Sequence, residues 1–284
     1  MTIKQARQYG KSMLKLVNIE TYALDADVLL MHILNIDKNY MLANVEKHID
    51  DIAIAAFSSA LLRRKCYEPI AYIVGKKEFM SLNFEVDKSV LIPRSDTEVL
   101  LELILSKEQT LGKTTKKAIE VGTGSGCIAV SLAHYMQNLD IIATDISPEA
   151  IKIATKNAQS HNVTNQVKFV CADIFGFDIS YGKYDFIVSN PPYIPTNNIS
   201  ILQDDIKNYE PSLALNGSHD GLYFYKKITE SLKGLLVKDG RIYYEIGHNQ
   251  AMDVKKILLN NKFYDINIVK DLSGNDRVIY AKKI

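Results

Sequence analysis

Four consecutive residues, Asn190-Pro191-Pro192-Tyr193, place an amide, two rigid imides and a flat ring directly after the apolar run Tyr184-Asp185-Phe186-Ile187-Val188-Ser189. A run of that length and character reads as a buried parallel strand. Each proline removes a backbone donor and fixes its own φ, and Pro192 pushes Pro191 toward extended geometry. The turn's carbonyls therefore cannot fold back into local hydrogen bonds. Asn190 contributes a side-chain carbonyl and Pro191 a backbone carbonyl, both acceptors. Two rigid acceptors aimed at one point suit an –NH2 group that is held by its protons while its lone pair attacks an electrophile. Tyr193 offers a flat face to a planar amide or base. A strand-ending turn with a surface tyrosine would need the same four residues, so the weight falls on what surrounds them.

About seventy residues upstream, Lys117-Ala118-Ile119-Glu120-Val121 reads as a short strand, Gly122-Thr123-Gly124-Ser125-Gly126 as a turn, and Cys127 to Ala133 as an apolar helix start. Strand, glycine-rich turn and helix form the nucleotide-binding unit of a doubly wound sheet. The glycines permit positive φ and a close approach of backbone to ligand, and the helix N-terminus offers free N–H groups. Gly-x-Gly-x-Gly is tighter than the dinucleotide fingerprint and suits a ligand with a carboxylate and a ribose better than a pyrophosphate. The next strand, Leu139 to Thr144, ends at Asp145, whose carboxylate can accept two hydrogen bonds from ribose hydroxyls. Asp145 or Ser147 also makes a good N-cap before Pro148-Glu149-Ala150. A third strand, Val167 to Cys171, leads to Asp173, placed to accept from an adenine amino group or to be a plain loop carboxylate; Ile174 and Phe175 are candidate apolar walls.

A glycine loop after strand one, an acid after strand two, Asp after strand three and Asn-Pro-Pro-Tyr after strand four resemble the order found in S-adenosylmethionine-dependent methyltransferases. Nearly the whole chain resembles one family of these, the protein-glutamine N5-methyltransferases that modify peptide chain release factors (the HemK family). Arg63-Arg64 with Glu68 to Gly75 is similar to the family's linker region. Val90 to Glu98 is similar to its pre-catalytic signature, with Ser95 where proline is usual. Glu120-Val121 varies an Asp-Leu pair, and Ser189 to Ile194 is similar to the catalytic segment. Tyr209-Glu210-Pro211, Asp220-Gly221-Leu222 and Tyr225 are similar to the segment after it. Glu245-Ile246-Gly247 with Gln250, and Asp271-Leu272 with Gly274 and Asp276-Arg277, match the closing strands. Many relatives carry tryptophan where this chain has Ile174, and the chain has no tryptophan at all.

The resemblance implies S-adenosyl-L-methionine as cofactor, held by Gly122, Thr123, Gly124, Ser125, Gly126, Asp145, Asp173, Ile174 and Asn190. It implies catalysis by Asn190, Pro191, Pro192 and Tyr193. The implied reaction is methyl transfer to the side-chain nitrogen (N5) of the glutamine in the Gly-Gly-Gln loop of peptide chain release factors. An adenine-N6 or guanine-N2 nucleic-acid methyltransferase is the alternative, since a flipped base would stack on Tyr193. A binding protein that keeps the sheet without turnover is a third, which the intact Asn190 turn argues against.

The formal net charge of +1 advertises no bulk nucleic-acid binding, so no direct nucleic-acid contact is expected. The start, Met1 to Arg7, lacks the apolar core of a signal peptide, and no apolar stretch approaches a membrane span. The expectation is a cytoplasmic monomer with no metal: the six histidines form no ligand cluster, and Cys66, Cys127 and Cys171 have no pair spacing. Cys127 and Cys171 fall in apolar patterns and are expected to be buried free thiols.

These residues must be positioned by elements of two textures. Over residues 1–74 apolar positions recur at helical spacing: Ala26, Leu29, Leu30, Ile33 and Leu34, then Ile52, Ala55, Ala56, Ser59, Ala60 and Leu62. This reads as a small helical bundle, a domain for substrate recognition. Residues 75–93 form a linker, with a β-hairpin read over Phe79 to Ile92. From residue 94 to 284 strands and helices alternate, with helices over Thr97 to Ser106, Ile151 to Asn162 and Asp220 to Leu236. A fifth strand spans Gly240 to Ile246, and an antiparallel pair, Phe263 to Asp271 and Arg277 to Lys282, closes the chain. The expected fold is α/β: a doubly wound, mostly parallel, seven-stranded sheet with one reversed strand near its edge, preceded by the bundle and hairpin. Ligands in such sheets bind beyond the carboxyl ends of the strands, where Gly122, Asp145, Asp173 and Asn190 all fall.

Overall fold

Amphipathic spacing and polar caps build the first unit, Met1–Lys76 together with Gln203–Tyr209. The computed structural model describes residues 1–109, 114–173, 175 and 182–284. Helices α1 (Ile3–Lys15), α2 (Tyr22–Leu34), α3 (Lys38–Ala43), α4 (Asp51–Lys65) and α5 (Ile70–Val74) enclose one apolar core that includes Leu14, Leu29, Leu30, Phe57 and Leu61. Thr2 and Gln5 form a capping box at α1, and Asp37 and Asp50 cap α3 and α4.

The buried face of α4 differs from the spacing expected of it. Ile52 is 85% exposed and Leu62 57%, while Phe57, Ala60, Leu61 and Arg64 are buried. Hydrophobicity varies little around a helix rich in alanine and serine. One ring and one ion pair therefore decide its orientation: Arg64 Nε donates to the buried Asp25 Oδ2 at 2.8 Å. Breaking such a pair from one side leaves a buried charge and costs about 3–5 kcal/mol.

The second unit spans Lys77–Leu202 and Glu210–Ile284. Its hairpin, β1 (Lys76–Phe79) and β2 (Leu82–Glu85), lies earlier than Phe79 to Ile92, because Met80 and Ser81, both at positive φ, make the turn. Asn157 fixes it, donating to the Glu85 and Ser125 carbonyls and accepting from Glu85 N. Then follow α6 (Glu98–Glu108), β3 (Lys116–Val121), α7 (Cys127–Tyr135), β4 (Leu139–Asp145), α8 (Pro148–Ser160), β5 (Val167–Cys171) and β6 (Tyr184–Ser189). After α9 (Asp204–Tyr209), which belongs to the first unit, come α10 (Ser212–Leu215), α11 (Tyr223–Leu232), β7 (Leu236–Glu245), α12 (Ala251–Asn260), β8 (Phe263–Lys270) and β9 (Asp276–Lys283).

The seven strands run β5-β4-β3-β6-β7-β9-β8, and β9 alone is reversed. Strand residues alternate between two cores. Phe186, Val188 and Tyr243 face the core shared with α6 and α7, whereas Ile187, Ile242 and Tyr244 face the one shared with α11 and α12. This is the doubly wound, mostly parallel architecture the sequence predicts. Its α11 is shorter than Asp220 to Leu236, because the chain passes through a 3-10 turn at Lys233–Leu235 and then pairs as β7 from Leu236. Cys171, expected inside, is exposed at the end of edge strand β5, with β4 on its one paired side.

Candidate active site

The register of the sheet sets the rim. Val121 lies opposite both Thr144 and Ser189, and Ser189 lies opposite Tyr244. The next residue on each strand is Gly122, Asp145, Asn190 and Glu245, so a glycine loop, two carboxylates and an amide leave the sheet from one rank.

The loop Gly122 to Gly126 is held from below and open above. Gly122 N and Thr123 N both donate to the Thr144 carbonyl at 2.9 Å, and Gly124 N donates to Asp145 Oδ2 at 2.8 Å. Gly122, Gly124 and Gly126 have φ of +74°, +55° and +80°. A Cβ at Gly126 would stand 3.0 Å from Ala154 Cβ, so this glycine lets α7 and α8 approach. A Cβ at Gly122 or Gly124 would meet nothing within 4 Å, so these two bare backbone toward open space. Thr123 and Ser125 are buried, and Thr123 Oγ1 donates to Glu120 Oε2 at 2.7 Å. Glu120 Oε1, fully buried, has no hydrogen-bond partner among the described residues. Burial pushes the Glu120 carboxyl up to about 7, against the pull of the Thr123 hydroxyl.

Asp145 is half-buried and has two backbone clients, since its Oδ1 also accepts from Ser147 N at 2.9 Å. Ser147 caps α8 by accepting from Ala150 N, with Pro148 in the first turn. Each Asp145 oxygen keeps lone pairs for a further donor. Asp173 is exposed and accepts from Phe175 N at 3.0 Å. Phe175 stacks with Phe224, centroids 6.3 Å apart, and meets Tyr223 edge-on. Ile174 lies outside the described residues.

Asn190 Nδ2 donates to Thr97 Oγ1 at 3.3 Å, and Thr97 Oγ1 donates to Glu245 Oε2 at 2.6 Å. Tyr193 Oη donates to Glu245 Oε1 at 3.4 Å. Pro191 is buried and Pro192 half-buried. The Tyr193 backbone is clamped: its carbonyl accepts from Gln250 Nε2 at 3.0 Å, and a Cβ at Gly217 would stand 2.8 Å from Tyr193 Cα. Burial pushes the Glu245 carboxyl up to about 7, while Thr97 and Arg277 pull it down. Burial, and then Glu245, raise the Tyr193 phenol. Arg277 pairs with Asp271 at 3.0 Å and with Asp96 at 3.1 Å, which ties the turn carrying Thr97 to the start of β9.

The structure thus brings Gly122 to Gly126, Asp145, Asn190 and Tyr193 to one rim, with Asp173 two residues past the end of β5. Sequence reasoning assigned no role to Thr97, Glu120, Glu245 or Gln250. The signal was present for two of them, an acid in an apolar strand: Glu120 inside β3, and Glu245 ending β7 as Asp145 ends β4. Chemically, the arrangement can seat a ligand with a carboxylate and vicinal hydroxyls against bare loop backbone, beside the Asn190 amide. Among the described residues no group of His, Cys, Asp and Glu could hold a metal ion.

A doubly wound sheet with this loop, strand-end acid and Asn-Pro-Pro-Tyr turn defines a methyltransferase, and the methyltransferase small domain family matches residues 95–219. The PrmC N-terminal domain family matches residues 5–75. The release factor glutamine methyltransferase of Clostridium acetobutylicum is 41% identical over 99% of this chain and 98% of its own length. The bifunctional methyltransferase of Rickettsia bellii is 40% identical over 98% of this chain, which spans 54% of that protein. The solved hMettl16 catalytic domain, in complex with MAT2A 3'UTR hairpin 6, aligns with TM-score 0.58 over 82% of each chain; at 17% identity that likeness speaks for the fold alone. The chain belongs to the release factor glutamine methyltransferase family.

Proposed function

We propose that this protein transfers a methyl group from S-adenosylmethionine to the side-chain amide nitrogen (N5) of the glutamine in the Gly-Gly-Gln loop of peptide chain release factors. The observation that carries the reading is the Asn190-Pro191-Pro192-Tyr193 turn leaving the sheet from the same rank as the glycine loop and Asp145, in a chain of this family.

S-adenosylmethionine supplies a methyl group already activated on a positively charged sulfur. Gly122, Thr123, Gly124, Ser125 and Gly126 would hold it with loop backbone, Asp145 with its remaining lone pairs, and Asp173 with its carboxylate. The protein's task is orientation, because a glutamine amide nitrogen is a poor nucleophile whose lone pair is delocalised. Asn190 Oδ1 and the Pro191 carbonyl would accept hydrogen bonds from its two N–H groups, turn its lone pair toward the methyl group and favour a pyramidal nitrogen. Positioning of this kind can lower a barrier by about 7–11 kcal/mol. The nitrogen would become acidic only as the new N–C bond forms and the methyl–sulfur bond breaks, leaving neutral S-adenosylhomocysteine, and its proton would then go to water. Tyr193 packs flat against the amide.

A lone glutamine offers little binding surface, so the helical unit before Gly75 takes up the rest of the release factor. A release factor substrate supports the reading of a cytoplasmic enzyme; separately, no described helix is long and apolar enough to cross a membrane. The decisive experiment is mass spectrometry of a release factor incubated with this protein and labelled S-adenosylmethionine. One methyl on the loop glutamine is expected, and none when that glutamine is replaced. Label on RNA or DNA with the factor unlabelled would overturn the proposal.

A further inference from the structure

We propose that Thr97 is a positioning residue for Asn190, fixing its carboxamide so that Oδ1 rather than Nδ2 faces the substrate, with Glu245 fixing the Thr97 hydroxyl in turn. The inference rests on Asn190 being the acceptor for the substrate nitrogen. An asparagine amide turned by 180° has nearly the same shape, and only its hydrogen bonds distinguish the two orientations. A reversed Asn190 would present a donor to a donor.

The threonine hydroxyl has one proton, and Glu245 Oε2 takes it at 2.6 Å. Above about pH 7 Glu245 is ionised; a short O–H···carboxylate bond is then about twice as strong as a neutral one, and the proton stays there. Thr97 Oγ1 can then only accept from Asn190, at 3.3 Å, and so selects Nδ2. Among the described residues none donates to Asn190 Oδ1, which leaves it for the substrate.

Each member is held. Thr97 and Glu245 are buried, Thr97 N donates to the Arg94 carbonyl at 3.1 Å, and its neighbour Asp96 pairs with Arg277. The second Glu245 oxygen accepts from Tyr193 Oη, so one carboxylate aligns both polar side chains of the Asn-Pro-Pro-Tyr turn.

The test compares Thr97→Val, Thr97→Ser, Asn190→Ala and the double variant Thr97→Val/Asn190→Ala, measuring kcat, KM for release factor and for S-adenosylmethionine, and Tm. Thr97→Val is expected to lower kcat about tenfold or more, less than direct loss of a preorganised contact, with both KM values within about twofold. Thr97→Ser keeps the hydroxyl and is expected to restore most of the rate. In the Asn190→Ala background Thr97→Val is expected to change kcat no further. If Thr97→Val lowers Tm by more than about 4 °C, Thr97→Ala and Thr97→Ser serve as the pair. Wild-type kcat in the hydroxyl-less variant beside an impaired Asn190→Ala overturns this inference and leaves the proposed function standing; so do multiplicative effects in the double variant. Wild-type kcat in Asn190→Ala removes the underlying reading and the inference with it.

Discussion

At the scale of single residues, the proposed roles of Asn190 and Gly124 predict that turnover and binding can be separated. Asn190→Ala removes one of two acceptors and is expected to lower kcat by about 100-fold or more, with a smaller change in S-adenosylmethionine affinity; single-turnover methylation beside calorimetric titration measures both. Gly124 has φ +55° and faces open space, so Gly124→Val strains the backbone and fills that space. Loss of S-adenosylmethionine binding in the calorimeter with a native circular dichroism spectrum is expected, and undiminished affinity would refute the assignment. Asn190, Asp145 and the glycines were legible because each follows its own strand directly, so local pattern alone places them. Thr97 and Glu245 were not, although both lie in quoted segments. Thr97 meets Asn190 across 93 positions and Glu245 across 148, and only tertiary pairing brings them together.

At the scale of elements, the strand order and the two-core sheet were readable from alternating apolar runs, because a central parallel strand buried on both faces has few other readings. The face of α4 was not, because an ion pair to Asp25 outweighs a faint apolar stripe. The hairpin was placed late because Met80-Ser81 adopts positive φ without a glycine. The stretch between Ile194 and α11 carries no strong periodic pattern, yet it supports the tyrosine of the turn. Gly221 has φ +71°, and a Cβ there would stand 2.6 Å from Gln250 Nε2. Gly221→Ala is expected to destabilise the fold by about 1–3 kcal/mol in urea melts and to lower kcat by displacing the Tyr193 carbonyl from Gln250. An unchanged melt and rate would show that the clamp is idle.

For the whole molecule, the buried carboxylates give stability a definite pH dependence. Glu245 ionises near its ordinary value when unfolded but at about 7 when folded, chiefly through burial. Between those values the folded state binds the extra proton, so this contribution is complete below the unfolded pKa and is lost as pH rises through about 7. Across that window the loss is on the order of 3 kcal/mol. The Glu245→Gln variant is therefore expected to gain stability relative to wild type as pH rises from about 5 to 8, read by urea melts at each pH; a constant difference would contradict the assigned burial. Removing residues 1–74 is expected to leave S-adenosylmethionine binding measurable by calorimetry while labelling of intact release factor falls sharply. Full labelling by the truncated chain would move substrate recognition elsewhere.

The excursion of residues 203–209 bears on how the chain is made. These residues belong to the helical unit, where Tyr209 Oη donates to the Cys66 carbonyl at 2.6 Å, yet they follow β3 to β6 in the chain. Domains generally fold as units from the N-terminus during synthesis. Here the N-terminal unit cannot be completed on the ribosome until most of the sheet's strands have emerged. A nascent chain interrupted before residue 203 carries α1 to α5 without the last segment of their unit.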